Sequence, residues 1–314
     1  MMPTVIYLGP ETHLPQVRTE LASFDVRHCL TPEDLDACVE SAHVIFDAYM
    51  KVSFPAERLR RARALQLFIT ATTGATHVDT GELEARGIPL LTLKGQEHVT
   101  MNITAAAELS WLLLMSVARP FRAAIQGPLA GGWDRNMYPG TMLIGRTVGI
   151  IGCGRIGTWI SRYATAFGMR VLGFDPLRTE VAPTITQVAL ETLLAESDMV
   201  SVHVSYSEAS RNLLNRDRIF RMKRGAVLVN TSRGELVDET ALLDALCSGH
   251  LGGAGLDVLQ GEPDVADHPL VRYARDHTNL VITPHIGGFS PDALRIVLDF
   301  SCDRIRRFFS ERND

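Results

Sequence analysis

The chain has 314 residues, of which 46% are hydrophobic and 21% charged, and its formal net charge is −5. That length suggests about two domains of roughly 150 residues each, and the composition is that of an ordinary globular chain. The negative balance excludes a general attraction to nucleic acid or anionic membrane, and 7% aromatic residues argue against a stacking surface for single strands.

Five cysteines, Cys29, Cys38, Cys153, Cys247 and Cys302, contain no CxxC pair. They point to a reducing, cytoplasmic setting rather than to a disulfide framework or structural zinc, and no metal site is expected. Met1-Met2-Pro3 and the following Thr4-Val5-Ile6-Tyr7-Leu8 lack a basic region and a long apolar core, so they read as a first strand and not as a signal peptide.

Up to about residue 97, short apolar strands alternate with amphipathic helices. Val5 to Leu8, Val44 to Phe46 and Leu67 to Ile69 are strand-like, and Pro32 to Val39 and Pro55 to Leu65 are helix-like. Such alternation predicts a parallel sheet with crossover helices. The basic runs Arg58 to Arg63 and Arg304 to Arg307 are solvated helix faces, since nothing else supports a basic groove. Ala105 to Ala118 is the most apolar long segment. It holds Glu108 and Ser110 and is shorter than the ~18 residues of a membrane span, so a buried helix at a subunit interface is expected.

Gly127 to Gly140 is turn-rich and reads as a connector. A second α/β pattern follows, with strands expected at Thr147 to Gly152, Arg170 to Asp175, Met199 to Val204, Ala226 to Asn230, Gly255 to Val258 and Leu280 to Thr283. A last amphipathic helix is expected from Pro291 to Phe309. This is the pattern of a doubly wound nucleotide fold.

Gly152-Cys153-Gly154-Arg155-Ile156-Gly157 lies between a predicted strand and a predicted helix. Gly152 permits the tight turn, Gly154 lets a pyrophosphate approach the backbone, and Gly157 lets helix and strand pack closely. The helix N-terminus offers amide donors and a partial positive charge to the phosphates. Asp175 ends the next strand and is placed to accept from both ribose hydroxyls, which favours NAD(H) over NADP(H). Arg178 nearby works the other way, because an Arg can accommodate a 2′-phosphate.

Downstream stand three charged or titratable residues in small motifs of their own. They are Arg233 in Asn230-Thr231-Ser232-Arg233-Gly234, Glu262 in Gly261-Glu262-Pro263, and His285 in Thr283-Pro284-His285. A guanidinium at a strand end can grip a carboxylate bidentately. A carboxylate beside an imidazole fixes its tautomer and favours its protonated form. Any one of the three alone is more simply a surface ion pair or a structural residue, but together they suit hydride transfer to or from a carbonyl.

On these motifs the chain resembles the D-isomer-specific 2-hydroxyacid dehydrogenase family. The densest stretches are Val148 to Gly157, Met222 to Asp238, Gly255-Leu256-Asp257-Val258 and Thr283-Pro284-His285-Ile286-Gly287-Gly288. The resemblance implies a two-domain α/β fold, a Rossmann-type doubly wound parallel sheet for NAD plus a smaller flavodoxin-like α/β substrate domain. Residues 1–98, completed by the C-terminal helix segment 288–314, would form the substrate domain, and 99–287 the NAD-binding domain. The implied activity is NAD(H)-dependent interconversion of a 2-oxo acid and a D-2-hydroxy acid. His285 would be the acid/base, Glu262 its partner, and Arg233 the binder of the substrate carboxylate.

The resemblance also places Gly152, Gly154, Arg155, Ile156, Gly157, Asp175, His203, Val204, Ser205, Thr231, Ser232, Arg233, Asp257, His285 and Gly287 at the cofactor, with Asp257 reaching the nicotinamide end. It puts Thr73 and Gly74 with Arg233 and His285 at the substrate. A homodimer is implied, joined through Met101 to Trp133. The expected partner is a small 2-oxo or 2-hydroxy acid, with no nucleic acid and no membrane.

Two positions depart from the family pattern. Val204-Ser205-Tyr206 stands where Val-Pro is usual, and Phe289 stands where a small residue is usual. Phe289 either narrows the substrate pocket or packs on the last helix. Lys51 beside Tyr49 suits an acidic substrate tail or is simply solvated. The alternative function on this fold is an NAD(H)-sensing, corepressor-like binding protein, which the lack of tails beyond the core disfavours. Formate- and phosphite-oxidising relatives carry Gln at the place of Glu262 and Lys at the place of Thr73, which counts against both.

Overall fold

The computed structural model describes residues 2–312, so the last two residues of the expected C-terminal segment lie outside it. Two compact units result, Met1–Ile103 with Pro291–Asp314 and Thr104–Ser290. The chain is α/β throughout, and each unit is built on its own all-parallel sheet.

In the first unit the strands are β1 (Thr4–Leu8), β2 (Asp25–His28), β3 (Val44–Asp47), β4 (Leu67–Thr70) and β5 (Leu90–Leu91). Their spatial order is β2-β1-β3-β4-β5, the flavodoxin-like order. Strands β1, β3 and β4 are buried along their whole length, as a sheet covered on both faces requires. Helix Pro291–Ser310 belongs to this unit. Its Val297, Leu298, Cys302 and Ile305 pack with Val5, Tyr7, Phe46 and Ile69 from the sheet.

The second unit holds β6 (Thr147–Ile151), β7 (Arg170–Phe174), β8 (Thr186–Gln187), β9 (Met199–Val202), β10 (Val227–Asn230), β11 (Gly253–Leu256) and β12 (Leu280–Ile282). The order β12-β11-β10-β9-β6-β7-β8 reverses between β6 and β9, which makes their carboxyl ends the topological switch point where ligands bind such sheets. Helix Ala105–Ala118 lies across this sheet through Leu113 and Leu114. It comes so close that a Cβ on Gly255 would sit 2.8 Å from that of Leu113. Glycine in β11 is therefore a packing requirement, despite its weak strand propensity.

Several boundaries differ from the sequence expectation. Strands β2, β5 and β8 have no counterpart in it. β2 carries Asp25 and Arg27, and β5 and β8 are two residues each, so none has an apolar run to announce it. The helix expected from Pro55 to Leu65 runs only Ala56–Arg61. The supposed connector from Gly127 begins inside helix Phe121–Leu129 and contains a short turn of 3₁₀ helix at Arg135–Met137. No helix among the described residues is long and apolar enough to cross a membrane.

Leu298 is fully buried in the first unit. Leu298→Ala is expected to lower the unfolding free energy by about 2–5 kcal/mol, read from urea denaturation.

Candidate active site

The glycine loop does what its spacing requires. Gly152 leaves β6 at φ +93, and a Cβ there would lie 2.7 Å from the carbonyl carbon of His203. Only glycine satisfies both the left-handed conformation and this contact across the switch point. A Cβ on Gly157 would run into the Gly152 carbonyl oxygen, so helix Arg155–Ala166 packs hard against the strand end. At Gly154, the residue capping that helix, a Cβ would meet nothing nearer than the Arg178 guanidinium at 3.8 Å. The backbone there is bare towards open space, as close approach of a pyrophosphate demands.

Asp175 follows β7 and is tied to the loop itself. Its Oδ2 accepts from the Cys153 amide at 3.0 Å and its Oδ1 from the Leu177 amide at 3.0 Å. Arg178 Nε stands 3.8 Å from Oδ2. The residues therefore fit a nicotinamide dinucleotide, with a bare glycine turn at the helix N-terminus and an acid at the end of the next strand.

β9 leads into His203, Val204 and Ser205. His203 Nε2 is 2.8 Å from Ser201 Oγ, and burial pushes its imidazole down to about 3, so the ring is neutral. Val204 and Tyr206 pack against the main core, and the Tyr206 hydroxyl donates to Glu208 at 2.7 Å. The Ser205-Tyr206 departure is thus accommodated by core packing of Tyr206 and by surface hydrogen bonds, with the Tyr206 hydroxyl also accepting from Arg211 and the Ser205 carbonyl from Ser210 Oγ. Phe289 is 64% accessible and takes no part in the apolar core around the last helix.

β10 ends in Asn230, which is 1% exposed and shapes the turn that presents the arginine. Its Oδ1 accepts from the Ser232 amide at 3.0 Å, and its Nδ2 donates to the Arg233 carbonyl at 2.8 Å. Ser232 Oγ donates to the Val202 carbonyl, and Thr231 Oγ1 lies 2.7 Å from Ser110 Oγ. Arg233 is exposed. Its Nη1 donates to the Ser232 carbonyl at 2.6 Å, and among the described residues it pairs with no carboxylate.

Asp257 follows β11 and is 1% exposed. Its Oδ1 accepts from Thr283 Oγ1 at 2.6 Å and the Ile286 amide at 2.9 Å, and its Oδ2 accepts from the Gly287 amide at 2.7 Å. The Asp257 carbonyl accepts from the His285 amide at 2.9 Å. These bonds hold the turn after β12, in which His285 takes φ +54. His285 Nδ1 then meets Glu262 Oε1 at 2.6 Å. The hydrogen bond to Glu262 raises the imidazole above its ordinary value, outweighing partial burial, while the nearby Arg233 charge opposes the rise.

Arg233, Asp257, Glu262 and His285 are thus brought together from the ends of β10, β11 and β12 and the loop behind β11. Thr73 and Gly74 are in the first unit, just after β4. Both are exposed, and Thr72 Oγ1 donates to the Gly74 carbonyl at 2.6 Å. In the loop after β3, Lys51 Nζ stands 4.3 Å from the centre of the Tyr49 ring. Asn230 and Thr283 also hold the site together, although neither is among the site residues expected from sequence. A polar residue closing an otherwise apolar strand was the available signal for Asn230.

A doubly wound sheet with a glycine loop at its switch point, an imidazole–carboxylate pair and a guanidinium that pairs with no carboxylate among the described residues suits a nicotinamide-dependent oxidoreductase. The sequence pattern of the D-isomer specific 2-hydroxyacid dehydrogenase NAD binding domain matches residues 111–287. The chain is 32% identical over 295 residues to the hydroxypyruvate reductase of Thermotoga maritima, covering 90% of this chain and 92% of that protein. It is 33% identical over 284 residues to the glycerate dehydrogenase of Methylorubrum extorquens, covering 88% and 86% respectively. The crystal structure of the TT0316 protein from Thermus thermophilus superposes with a TM-score of 0.83 at 35% identity, over 96% of this chain and 94% of that one. The chain belongs to the D-isomer specific 2-hydroxyacid dehydrogenase family and is an NAD-dependent oxidoreductase.

Asp257→Asn would set an amide NH₂ or a weaker acceptor against three fixed donors. The expected loss is about 1–3 kcal/mol of stability, measured by denaturant unfolding; an unchanged midpoint would show that the carboxylate does not hold the turn.

Proposed function

We propose that His285 is the acid/base of the reaction, that Glu262 steadies it, and that Arg233 binds the substrate carboxylate and polarises the C2 oxygen. The 2.6 Å contact between His285 Nδ1 and Glu262 Oε1 carries this assignment. It puts the shared proton on Nδ1 and leaves Nε2 to exchange a proton with substrate. Bound NADH supplies the hydride for reduction at C2. Protonated His285 gives its Nε2 proton to the oxygen as negative charge grows there, and takes it back in the oxidative direction. Positioned acid/base catalysis of this kind is typically worth ~10²–10⁴-fold. Arg233 is free to grip an anion because no carboxylate of its own unit neutralises it, and a guanidinium forms the bidentate contact a carboxylate needs.

The glycine loop from Gly152 to Gly157 would hold the pyrophosphate and Asp175 the ribose hydroxyls, which favours NAD(H) over NADP(H). His203 to Ser205, Thr231, Ser232, Asp257 and Gly287 line the same strand ends. Thr73 and Gly74 would offer backbone amides to the substrate carboxylate. The names of the two relatives make hydroxypyruvate and other small 2-oxo acids the first substrates to try. Five unpaired cysteines suit the reducing cytoplasm.

A homodimer would explain why Leu112, Ile125, Leu129 and Trp133 are exposed on or beside helices Ala105–Ala118 and Phe121–Leu129. Leu129→Asp combined with Trp133→Asp is expected to halve the mass measured by light scattering; an unchanged mass would exclude these residues as the interface.

The activity test is oxidation of NADH and NADPH against glyoxylate, hydroxypyruvate, pyruvate, phenylpyruvate and 2-oxoglutarate. NADH-linked turnover is expected, falling at least ~10²-fold in His285→Ala and Arg233→Ala while NADH still binds. Reduction needs the protonated ring, whose pKa is raised. Its rate is expected to persist above the ordinary histidine value of ~6.5 and then fall, while oxidation rises over the same range. Unimpaired turnover in either variant would refute the assignment. Tight NADH binding without turnover on any acid would favour an NAD(H)-sensing role.

A further inference from the structure

Glu239 and His268 are titratable residues of the second unit that the mechanism above leaves without a role. Their side chains are only 11% and 15% exposed. Glu239 opens helix Glu239–Cys247. Its Oε1 accepts from the Gln260 amide at 3.0 Å, and its Oε2 meets His268 Nε2 at 2.9 Å. His268 Nδ1 accepts in turn from the Leu270 amide at 3.2 Å, capping helix Pro269–Asp276. An accepting Nδ1 leaves the ring proton on Nε2, so a neutral His268 donates to the Glu239 carboxylate.

The residue at the centre of these contacts is Gln260. Its amide is held by Glu239, and its side chain donates to the Val237 carbonyl at 2.9 Å. Behind it, a Cβ on Gly234 would run into the Gln260 nitrogen, so the turn carrying Arg233 presses directly on this loop. Glu262 lies two residues further on. Among the described residues its carboxylate has no hydrogen-bond partner except His285. Nothing attached to the Glu262 side chain itself therefore fixes its height beneath the imidazole. That task falls to its backbone. The bonds beside it, from the Asp264 amide to the Gly261 carbonyl at 3.1 Å and from the Val265 amide to the Pro263 carbonyl at 2.9 Å, are internal to the loop, whereas Gln260 and His268 on either side of it are both tied to Glu239.

We propose that Glu239 and His268 are positioning residues that set the Glu262 carboxylate against His285 through the backbone of Gln260. The proposal rests on the acid/base assignment of His285, so its test needs a readout independent of turnover. Histidine-selective NMR titration of the whole protein provides one, with the His285 signal identified by its absence in His285→Ala. The groups facing His285 are Glu262, Arg233 and Asp257, and the variants below touch none of them.

In Glu239→Ala the Gln260 amide loses its acceptor. The His285 midpoint is expected to fall towards the ordinary histidine value, because the Glu262 hydrogen bond that raises it is weakened. With hydroxypyruvate and NADH, kcat is expected to drop about tenfold or more with KM for NADH within about twofold. The high-pH fall of the reduction rate then moves to lower pH. Glu239→Gln keeps an acceptor for the amide and is expected to restore most of both values. His268→Ser keeps a helix cap but cannot reach Glu239, and is expected to shift the midpoint in the same direction. It also decides the matter if Glu239→Ala does not fold. A His285 midpoint unmoved in Glu239→Ala and His268→Ser, with only thermal stability lowered, would overturn the proposal. Turnover surviving in His285→Ala would instead refute the acid/base assignment.

Discussion

The buried carboxylate of Asp257 is the constraint on which the turn carrying His285 rests. A charge this deeply placed is tolerated only when hydrogen bonds replace the water it has lost. Here the replacements come from Thr283, Ile286 and Gly287, all on the turn after β12. The need to satisfy Asp257 and the need to fix His285 are met by the same bonds. The left-handed backbone at His285 is held in place by that turn, since its amide also donates to the Asp257 carbonyl.

Around this anchor the charges are graded. His285 feels Glu262 through a short hydrogen bond, Asp257 at greater remove, and Arg233 in opposition. Its protonated form is therefore favoured, against the opposing effects of partial burial first and the guanidinium second. His203, by contrast, is held neutral by burial at the floor of the glycine loop. Two imidazoles at strand ends of one sheet, after β9 and after β12, are thus pushed in opposite directions by their surroundings.

The two-sheet α/β architecture was legible from the alternation of apolar strands and helices, and the glycine loop from the strand and helix on either side of it. Arg233, Glu262 and His285 stood out because each follows a recognisable apolar strand. The bonds that make them a site were less accessible. Asp257 draws its donors from 26 to 30 residues away, and Glu239 meets His268 across 29. Neither spacing has a local signature, because the contacts exist only once parallel strands place their ends side by side. Strands β2, β5 and β8 escaped notice for the opposite reason. They are short or charged, and their pairing comes from the sheet beside them and not from their own pattern.

Arg233 has a further consequence that concerns kinetics of encounter. The chain carries a net charge of −5, so an anionic substrate approaches a molecule that repels it on average. The guanidinium is held by a main-chain carbonyl, which orients it without cancelling its charge. It therefore acts as a local attractor within an unfavourable global field, felt over roughly the ~8–10 Å that ordinary salt allows. On the proposed roles, capture of substrate would depend on ionic strength, whereas the proton transfer that follows, between groups already in contact, would not.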